Sequence, residues 1–348
     1  VTYDAPENEA SEDAAYVGVP SEASDYYIEI DGHILPVGGE QQIVVELTEE
    51  ETIELAKKHE NDEPAEKFIR DSALVSTYSY SSSYLYNNEL KNDTERNFWK
   101  AMDKACSEVL NSTADYSDGW KLMQDYTGIT KARAGVIVHL FRCSNPQYYF
   151  IANGYYSGSI GSTPYMGPMF LNAYGYDFKK YSVRKNAETQ LNALTNSWMP
   201  TFMAISSDKD RELAISNEII SYLTYDDPAV DEDDPGYDPE ISTLEQSIIS
   251  GVLRTLTYGA YDNASYKRTA HTTICAGYAM MTAYFLNAAG IESFYISGPG
   301  HAWNMVKLYD NWYELDNTWA DMDKYTNAYI AEKWRNKSHN TFVNIVFS

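Results

Sequence analysis

The sequence predicts an α+β fold, in which helical and strand-forming segments occupy separate stretches of the chain. One observation is residues 275–289, which are apolar on nearly every side and stop at Gly290, a pattern typical of a buried helix with a glycine stop. A second is the stretch that follows, where residues 291–297, residues 301–308 and a run from Trp312 are strand-like and are separated by turn residues. A third is a pair of strand-like segments near the start of the chain, followed by a capped helix.

The composition predicts a folded, soluble protein that binds neither nucleic acid nor membrane. The 348 residues exceed one average domain, and 44% of them are apolar, which is enough for a sizeable core. The formal charge is −25, from 51 acidic and 26 basic residues, and no cluster of Lys and Arg offers phosphates a binding surface. No apolar run approaches the roughly 18 residues of a membrane span. A start at Val1 without a leader suits a mature secreted protein or a trimmed one equally, and we expect a secreted, extracellular location.

The beginning of the chain divides into three parts. Residues 1–24 are acidic and lack periodicity, so we expect a disordered leader. Residues 25–75 are predicted to form a small N-terminal α+β region, with strands at 26–37 and 41–47 joined as a hairpin through Gly38 and Gly39. Thr48 and Glu51 then make a capping box for a helix. An extended connection at residues 76–84 is predicted to lead into the main domain, residues 76–348.

Further elements are predicted before the buried helix. In chain order they are a helix at 85–110, strands at 134–142 and 148–152, a loop at 154–167, helices at 183–198 and 208–224 separated by Pro200, and an acidic loop at 226–240. The acidic loop lacks the ligand spacing of a calcium-binding loop, so solvated acids are favoured over a calcium site.

Cys275 opens the predicted buried helix, and this position favours thiol chemistry. Unpaired amides and the positive end of the helix favour a thiolate, and the same amides can donate to an oxyanion. Gly277, in the same turn, would let a substrate backbone or a neighbouring strand come close. Taken alone, a cysteine on an apolar helix is more often simply buried.

His301 and Asp316 are brought together by the predicted register of the last two strands. A two-residue loop at Tyr309 and Asp310 places Trp303 opposite Asp316, so that His301 and Asp316 share one face of the sheet as diagonal neighbours, roughly 7 to 8 Å apart at the backbone. An imidazole beside a thiol accepts its proton, and a carboxylate on the far ring nitrogen fixes the tautomer. A loop of odd length would put the two residues on opposite faces.

Three short blocks resemble those of a known family. They are Cys275-Ala-Gly-Tyr-Ala279, His301-Ala-Trp-Asn304, and Trp312-Tyr-Glu-Leu-Asp316 followed by Trp319. In this order they look like the signature blocks of the bacterial transglutaminase-like superfamily, which has a papain-type fold. The resemblance covers residues 205–325 and implies a central buried helix, packed against an antiparallel sheet, in a transglutaminase-like catalytic domain. It also implies Cys275 as nucleophile, His301 as base and Asp316 as orienting acid.

Other residues are candidates for supporting roles, and no cofactor is expected. Gly277, Tyr278, Trp303 and Asn304 lie inside the three blocks, and Gln246 and Tyr258 are candidates by residue type for a second oxyanion donor. The remaining histidines lack metal-ligand spacing, so no metal is expected. Cys106 and Cys143 are either a disulfide or two buried thiols.

The predicted reaction proceeds through a thioester acyl-enzyme that water or an amine resolves. We favour a secreted cysteine peptidase that hydrolyses peptide or amide bonds in a protein or peptide substrate, because the resemblance implies that hydrolysis is the commoner activity among bacterial members. A protein-glutamine transglutaminase is the alternative. A binding or scaffold module without catalysis is a third possibility, and residues 1–75 are candidates for contact with a cell-surface or protein partner.

Overall fold

The protein combines short sheets and helices, which confirms the α+β prediction. The computed structural model describes residues 26–37, 43–53, 78–116, 120–173, 176–226, 247–253, 271–298 and 300–321. Within these ranges no helix has the length and apolar character that crossing a membrane requires. The predicted leader and nearly all of the acidic loop at 226–240 lie outside the described residues.

Every helix of the described residues contributes buried side chains. In chain order they are α1 (Tyr84–Asn88), α2 (Asp93–Leu110), α3 (Lys131–Ser144), α4 (Tyr181–Met203), α5 (Asp208–Tyr222), α6 (Ile248–Val252), α7 (Cys275–Ala288) and α8 (Asn317–Ala320).

The strands form several small sheets. They are β1 (Tyr26–Ile30), β2 (His33–Val37), β3 (Ile43–Glu46), β4 (Gln124–Asp125), β5 (Ile151–Ile160), β6 (Thr163–Phe170), β7 (Asn172–Ala173), β8 (Tyr176–Asp177), β9 (Thr224–Tyr225), β10 (Thr272–Thr273), β11 (Ser293–Gly298), β12 (His301–Leu308) and β13 (Asn311–Leu315). The sheet orders are β1-β2, β3-β5-β6-β4, β7-β8, β10-β9 and β11-β12-β13.

The sheet β11-β12-β13 has the register that the sequence predicts. Both of its pairings are antiparallel, and Asn304 faces Leu315 while Leu308 faces Asn311. Tyr309 and Asp310 have φ of 50° and 67°, as expected for the two central residues of a type I′ turn. Because the loop has an even number of residues, His301 at the beginning of β12 and Asp316 just after β13 lie on the same face of the sheet.

Helix α7 is buried on every side and packs against β11 and β12. It ends as predicted, because Gly290 has a φ of 81°, a conformation that few residues other than glycine adopt. Asn304 of β12 donates a hydrogen bond from Nδ2 to the carbonyl of Ala279 at 2.8 Å and so joins the sheet to the helix.

The N-terminal hairpin differs from the prediction. Strands β1 and β2 pair with each other through Asp31 and Gly32, which have φ of 48° and 83°, so the turn is at Asp-Gly and not at Gly38-Gly39. β3 pairs in parallel with β5 instead of joining the hairpin. The predicted capping box is confirmed, since Thr48 N donates to Glu51 Oε2 at 2.7 Å and Glu51 N donates to Thr48 Oγ1 at 3.2 Å. The division of the chain near residues 76–84 stays a prediction.

Two predictions before β7 were wrong. The predicted strand at 134–142 is the helix α3, which begins after its N-cap Thr130, whose Oγ1 accepts from Arg133 N. Its residues from Ala134 to Ser144 are all buried, including the polar His139 and Arg142, so no exposed polar face marks a helical period in the sequence. The predicted loop at 154–167 is the hairpin β5-β6, in which Gly167 allows close approach, because a Cβ there would lie 2.0 Å from the carbonyl oxygen of Leu122.

Two helical predictions need smaller corrections. The predicted helix at 85–110 is interrupted, and α2 begins after Asn92, whose side chain accepts from Glu95 N at 3.0 Å. The helix predicted to end before Pro200 continues to Met203. Pro200 therefore lies in the last turn of α4, and the helix ends three residues after it.

Candidate active site

Cys275 is the first residue of α7, and its side chain is buried at the tip of the helix. The short strand β10 leads into it through Ile274, whose side chain makes no capping hydrogen bond. The first amides of a helix have no partners inside that helix. Cys275 therefore lies where backbone amides and the helix dipole favour negative charge.

His301 and Asp316 are in direct contact, as the register predicts. His301 Nε2 lies 2.6 Å from Asp316 Oδ2, and the carboxylate is fully buried. The second carboxylate oxygen, Oδ1, accepts a hydrogen bond from the backbone N–H of Trp319 at 3.0 Å, because Asp316 is the N-cap of α8. Both oxygens are thus engaged, and the carboxylate is fixed in orientation.

The pKa of His301 depends on both Asp316 and Cys275. Burial favours the neutral imidazole, but the charge and hydrogen bond of Asp316, together with a hydrogen bond and charge interaction with Cys275, outweigh it and raise the pKa of His301 from 6.5 to about 10. The ring is therefore an imidazolium at neutral pH. Since Nε2 faces Asp316, Nδ1 is the nitrogen left for the sulfur.

Two tryptophans enclose the imidazole. Trp303 stacks on it with ring centroids 5.8 Å apart and an interplanar angle of 17°, and Trp319 meets it edge-on at 5.9 Å and 72°. Trp303 is buried, whereas Trp319 is 37% exposed. The two rings restrict the orientation of His301 and shield its contact with Asp316 from water.

The other predicted residues of the blocks support α7 from within. A Cβ on Gly277 would lie 1.9 Å from Thr273 Oγ1, so the glycine admits the neighbouring strand β10. Tyr278 is fully buried, and its hydroxyl donates to Asp321 beyond α8. Asn304 is equally buried and contacts the helix backbone. Gln246 and Tyr258 lie outside the described residues.

Cys106 and Cys143 are buried thiols that are not bonded to each other, so the disulfide alternative is not what the structure has. Burial raises the pKa of the Cys106 thiol. Cys143 Sγ lies 3.4 Å from His139 Nε2, and burial together with the charge of Arg142 lowers the pKa of His139 to about 3. Cys275 differs from both, because its interaction with His301 contributes to the raised pKa of that imidazole.

The sequence did not predict a contact between the N-terminal hairpin and the strand that precedes Asp316. His33 Nδ1 lies 2.8 Å from Glu314 Oε1, although the two residues are far apart in the chain. The Asp31-Gly32 turn could have indicated the hairpin itself, but no local pattern pairs His33 with Glu314.

Comparison with known proteins gives only weak structural similarity. No known protein family and no curated protein matches the sequence. A solved structure described as the crystal structure of a TGase is similar, with a TM-score of 0.29 and 18% identity over 48% of this chain and 44% of that chain. The chain therefore spans less than half the length of that protein, and a similarity at this level defines neither fold nor activity.

Proposed function

We propose that this chain is a cysteine-dependent hydrolase of transglutaminase-like type that cleaves peptide or amide bonds through a thioester. The observation that supports it most is the 2.6 Å contact of His301 with the buried Asp316, made by an imidazole whose pKa is raised by both Asp316 and Cys275. Cys275 would be the nucleophile, His301 the acid and base, and Asp316 the group that orients the ring.

The proposed first step is acylation of Cys275. The thiolate attacks the carbonyl carbon of the substrate, and the amides at the tip of α7 are in a suitable place to donate to the developing oxyanion. The carbon–sulfur bond forms, the carbon–nitrogen bond breaks, and the departing amine takes the proton from His301 Nδ1. Asp316 holds Nε2 throughout and stabilises the imidazolium that precedes this transfer.

The proposed second step is hydrolysis of the thioester. His301, now neutral, accepts a proton from water at Nδ1 while the oxygen attacks the thioester carbon. The carbon–sulfur bond breaks, a carboxylic acid leaves, and the thiolate–imidazolium pair is restored. A primary amine in place of water would give acyl transfer instead.

Alkylation with iodoacetamide tests the nucleophile without a known substrate. We expect modification at Cys275 at least tenfold faster than at an ordinary thiol, because a cation beside sulfur favours the reactive thiolate. Cys106→Ser and Cys143→Ser are matched controls that should leave the rate unchanged, whereas Cys275→Ala should abolish it and His301→Gln should slow it. A rate at Cys275 no higher than that of free cysteine would contradict the proposal.

Incubation with casein and a fluorescent primary amine separates the two reactions. New amino termini that Cys275→Ala abolishes indicate hydrolysis. Incorporation of the amine without fragments indicates the transferase, and the absence of both favours a non-catalytic module. We expect hydrolysis, with poor activity on acidic peptides because the chain carries a formal charge of −25.

A further inference from the structure

The N-terminal hairpin β1-β2 covers the outer edge of β13. Trp312 faces Lys307 across the β12-β13 ladder in a position where its N–H and C=O point away from β12. Asp31 Oδ2 accepts from that N–H at 3.3 Å, and His33 Nε2 lies 3.2 Å from that carbonyl oxygen. The side chains of the hairpin therefore satisfy backbone groups that an additional strand would otherwise engage.

His33 also holds the side chain of Glu314. Its Nδ1 lies 2.8 Å from Glu314 Oε1, and the side chains are only 4% and 1% exposed. The two ring nitrogens of His33 thus lie within hydrogen-bond distance of a side-chain oxygen and of a backbone carbonyl oxygen on β13. Contacts as buried as these fix the hairpin against β13 at one point.

That point is close to the proposed catalytic carboxylate. Glu314 and Asp316 are two positions apart, so they lie on the same face at the end of β13. Glu314 faces Met305 across the ladder, and this puts His301 and Trp303 on the same face of β12. The hairpin is therefore attached to the face that carries the His301–Asp316 pair.

The other end of β2 reaches the last residue of β11, which lies opposite His301. Gly298 faces His301 in the β11-β12 ladder, and a Cβ on Gly298 would lie 3.0 Å from Pro36 Cγ and 3.1 Å from the ring of Trp303. Trp303 in turn stacks on the imidazole. Three residues of extended chain span roughly 10 Å, about the separation of the outer strands of a three-stranded sheet, so β2 is long enough to reach from β13 to β11.

We propose that the N-terminal hairpin is a positioning element of the active site, and that His33 is its principal positioning residue. His33 fixes β13 through Glu314 and Trp312, and Pro36 lies against Gly298, the residue of β11 that faces His301. Together they hold the carboxylate and the imidazole at their contact distance. The catalytic consequence rests on the proposed function, whereas the effect on the His301–Asp316 contact does not.

The test measures both consequences in the full-length chain. In His33→Ala and Glu314→Ala we expect the alkylation rate of Cys275 and kcat on casein to fall about tenfold or more, with KM within twofold of the native value. We also expect the NMR titration of the His301 ring to move to lower pH, because a displaced Asp316 stabilises the imidazolium less. Loss of general stability alone would lower the apparent kcat through the folded fraction, but it would leave the titration midpoint of His301 in the folded protein unchanged, so the titration decides between the two explanations.

Two conservative variants keep the proposal testable if the alanine variants do not fold. Glu314→Gln keeps an oxygen acceptor for His33 and should retain the native rate within about threefold. His33→Asn can donate from near Nδ1 but reaches Trp312 less well, so its rate should lie between those of the native protein and His33→Ala. Glu29→Ala, at an exposed position of the same hairpin, is the matched control and should behave as the native protein.

The outcomes separate the two proposals. An inert native thiol, together with a His301 titration that shifts in His33→Ala, would refute the catalytic function and support the positioning role. An active native protein whose kcat and His301 titration are both unchanged in His33→Ala or His33→Asn would overturn the positioning role. A parallel fall in Glu29→Ala would overturn it too, because the effect would then not depend on the His33 contact.

Discussion

Raising the pH should weaken the folded state through the His301–Asp316 pair. The pKa of His301 is raised to about 10 in the folded protein by the Asp316 carboxylate and by Cys275, against the opposing effect of burial. In the unfolded chain the imidazole returns to its ordinary value near 6.5. A raised pKa means that the folded state binds the proton more tightly, so the contribution to stability is complete below about pH 6.5 and is lost as the pH rises through about 10.

The expected size follows from the same two values. Each pKa unit corresponds to about 1.4 kcal/mol. The rise from 6.5 to about 10 therefore contributes on the order of 5 kcal/mol to the free energy of unfolding when His301 is fully protonated. At pH 8 roughly 3 kcal/mol of this should remain, and near pH 10 almost none. The pair is nearly enclosed, with side chains 18% and 0% exposed, so solvent screens it little.

Urea unfolding from pH 6 to pH 10 measures the effect, with the tryptophan emission as the signal. Asp316→Asn is the reference, because it keeps an oxygen for the Trp319 amide but removes the charge. We expect the difference in unfolding free energy between the two proteins to be largest at pH 6 and to shrink steadily toward pH 10. A difference that stays constant across this range would refute the reasoning, since it would show that the charge of Asp316 does not act on a titrating group.

Three further predictions concern the contacts that hold α7 in place. Gly277→Ala should lower the free energy of unfolding by about 2 kcal/mol or more and slow alkylation of Cys275, because the new methyl group clashes with Thr273. Adding Thr273→Ala should restore part of this loss. Urea unfolding of the single and double variants measures both effects. Asn304→Ala should cost about 1 kcal/mol by removing a buried hydrogen bond between β12 and the backbone of α7, measured the same way, and a neutral result would contradict it. Asn317→Ala and Thr282→Ala remove the two ends of one 2.9 Å hydrogen bond, so their double variant should cost clearly less than the sum of the single ones.

The parts of the fold that the sequence predicted are those set by local rules. A two-residue turn admits one pairing of β12 with β13, so the contact of His301 with Asp316 followed from counting residues. The start and stop of α7 followed from its uniform apolarity and from Gly290. The capping box at Thr48 is also local, because its hydrogen bonds join residues three positions apart.

The parts that the sequence did not predict depend on what surrounds a segment. The helix α3 is buried on all sides from Ala134 onward, and such a run satisfies the strand pattern as well as the helical one. The Asp31-Gly32 turn competed with Gly38-Gly39, and only the packing of β3 on β5 decides between them. The contact of His33 with Glu314 joins positions 281 residues apart, where chain spacing carries no information.

The burial of α7 explains why the candidate site lies at the tip of that helix. All 14 residues of α7 are buried, so a nucleophile on any later turn would be sealed within the core. At the first turn the side chain of Cys275 stays at the boundary of the packed interior, and the residues proposed to activate it come from other elements, at the start of β12 and the end of β13. A helix that is apolar on every side and begins with cysteine is therefore expected to lie in the core and to carry its proposed nucleophile at its end. On this proposal, whatever holds β12 and β13 against that end, including a hairpin from the far end of the chain, contributes to the proposed chemistry.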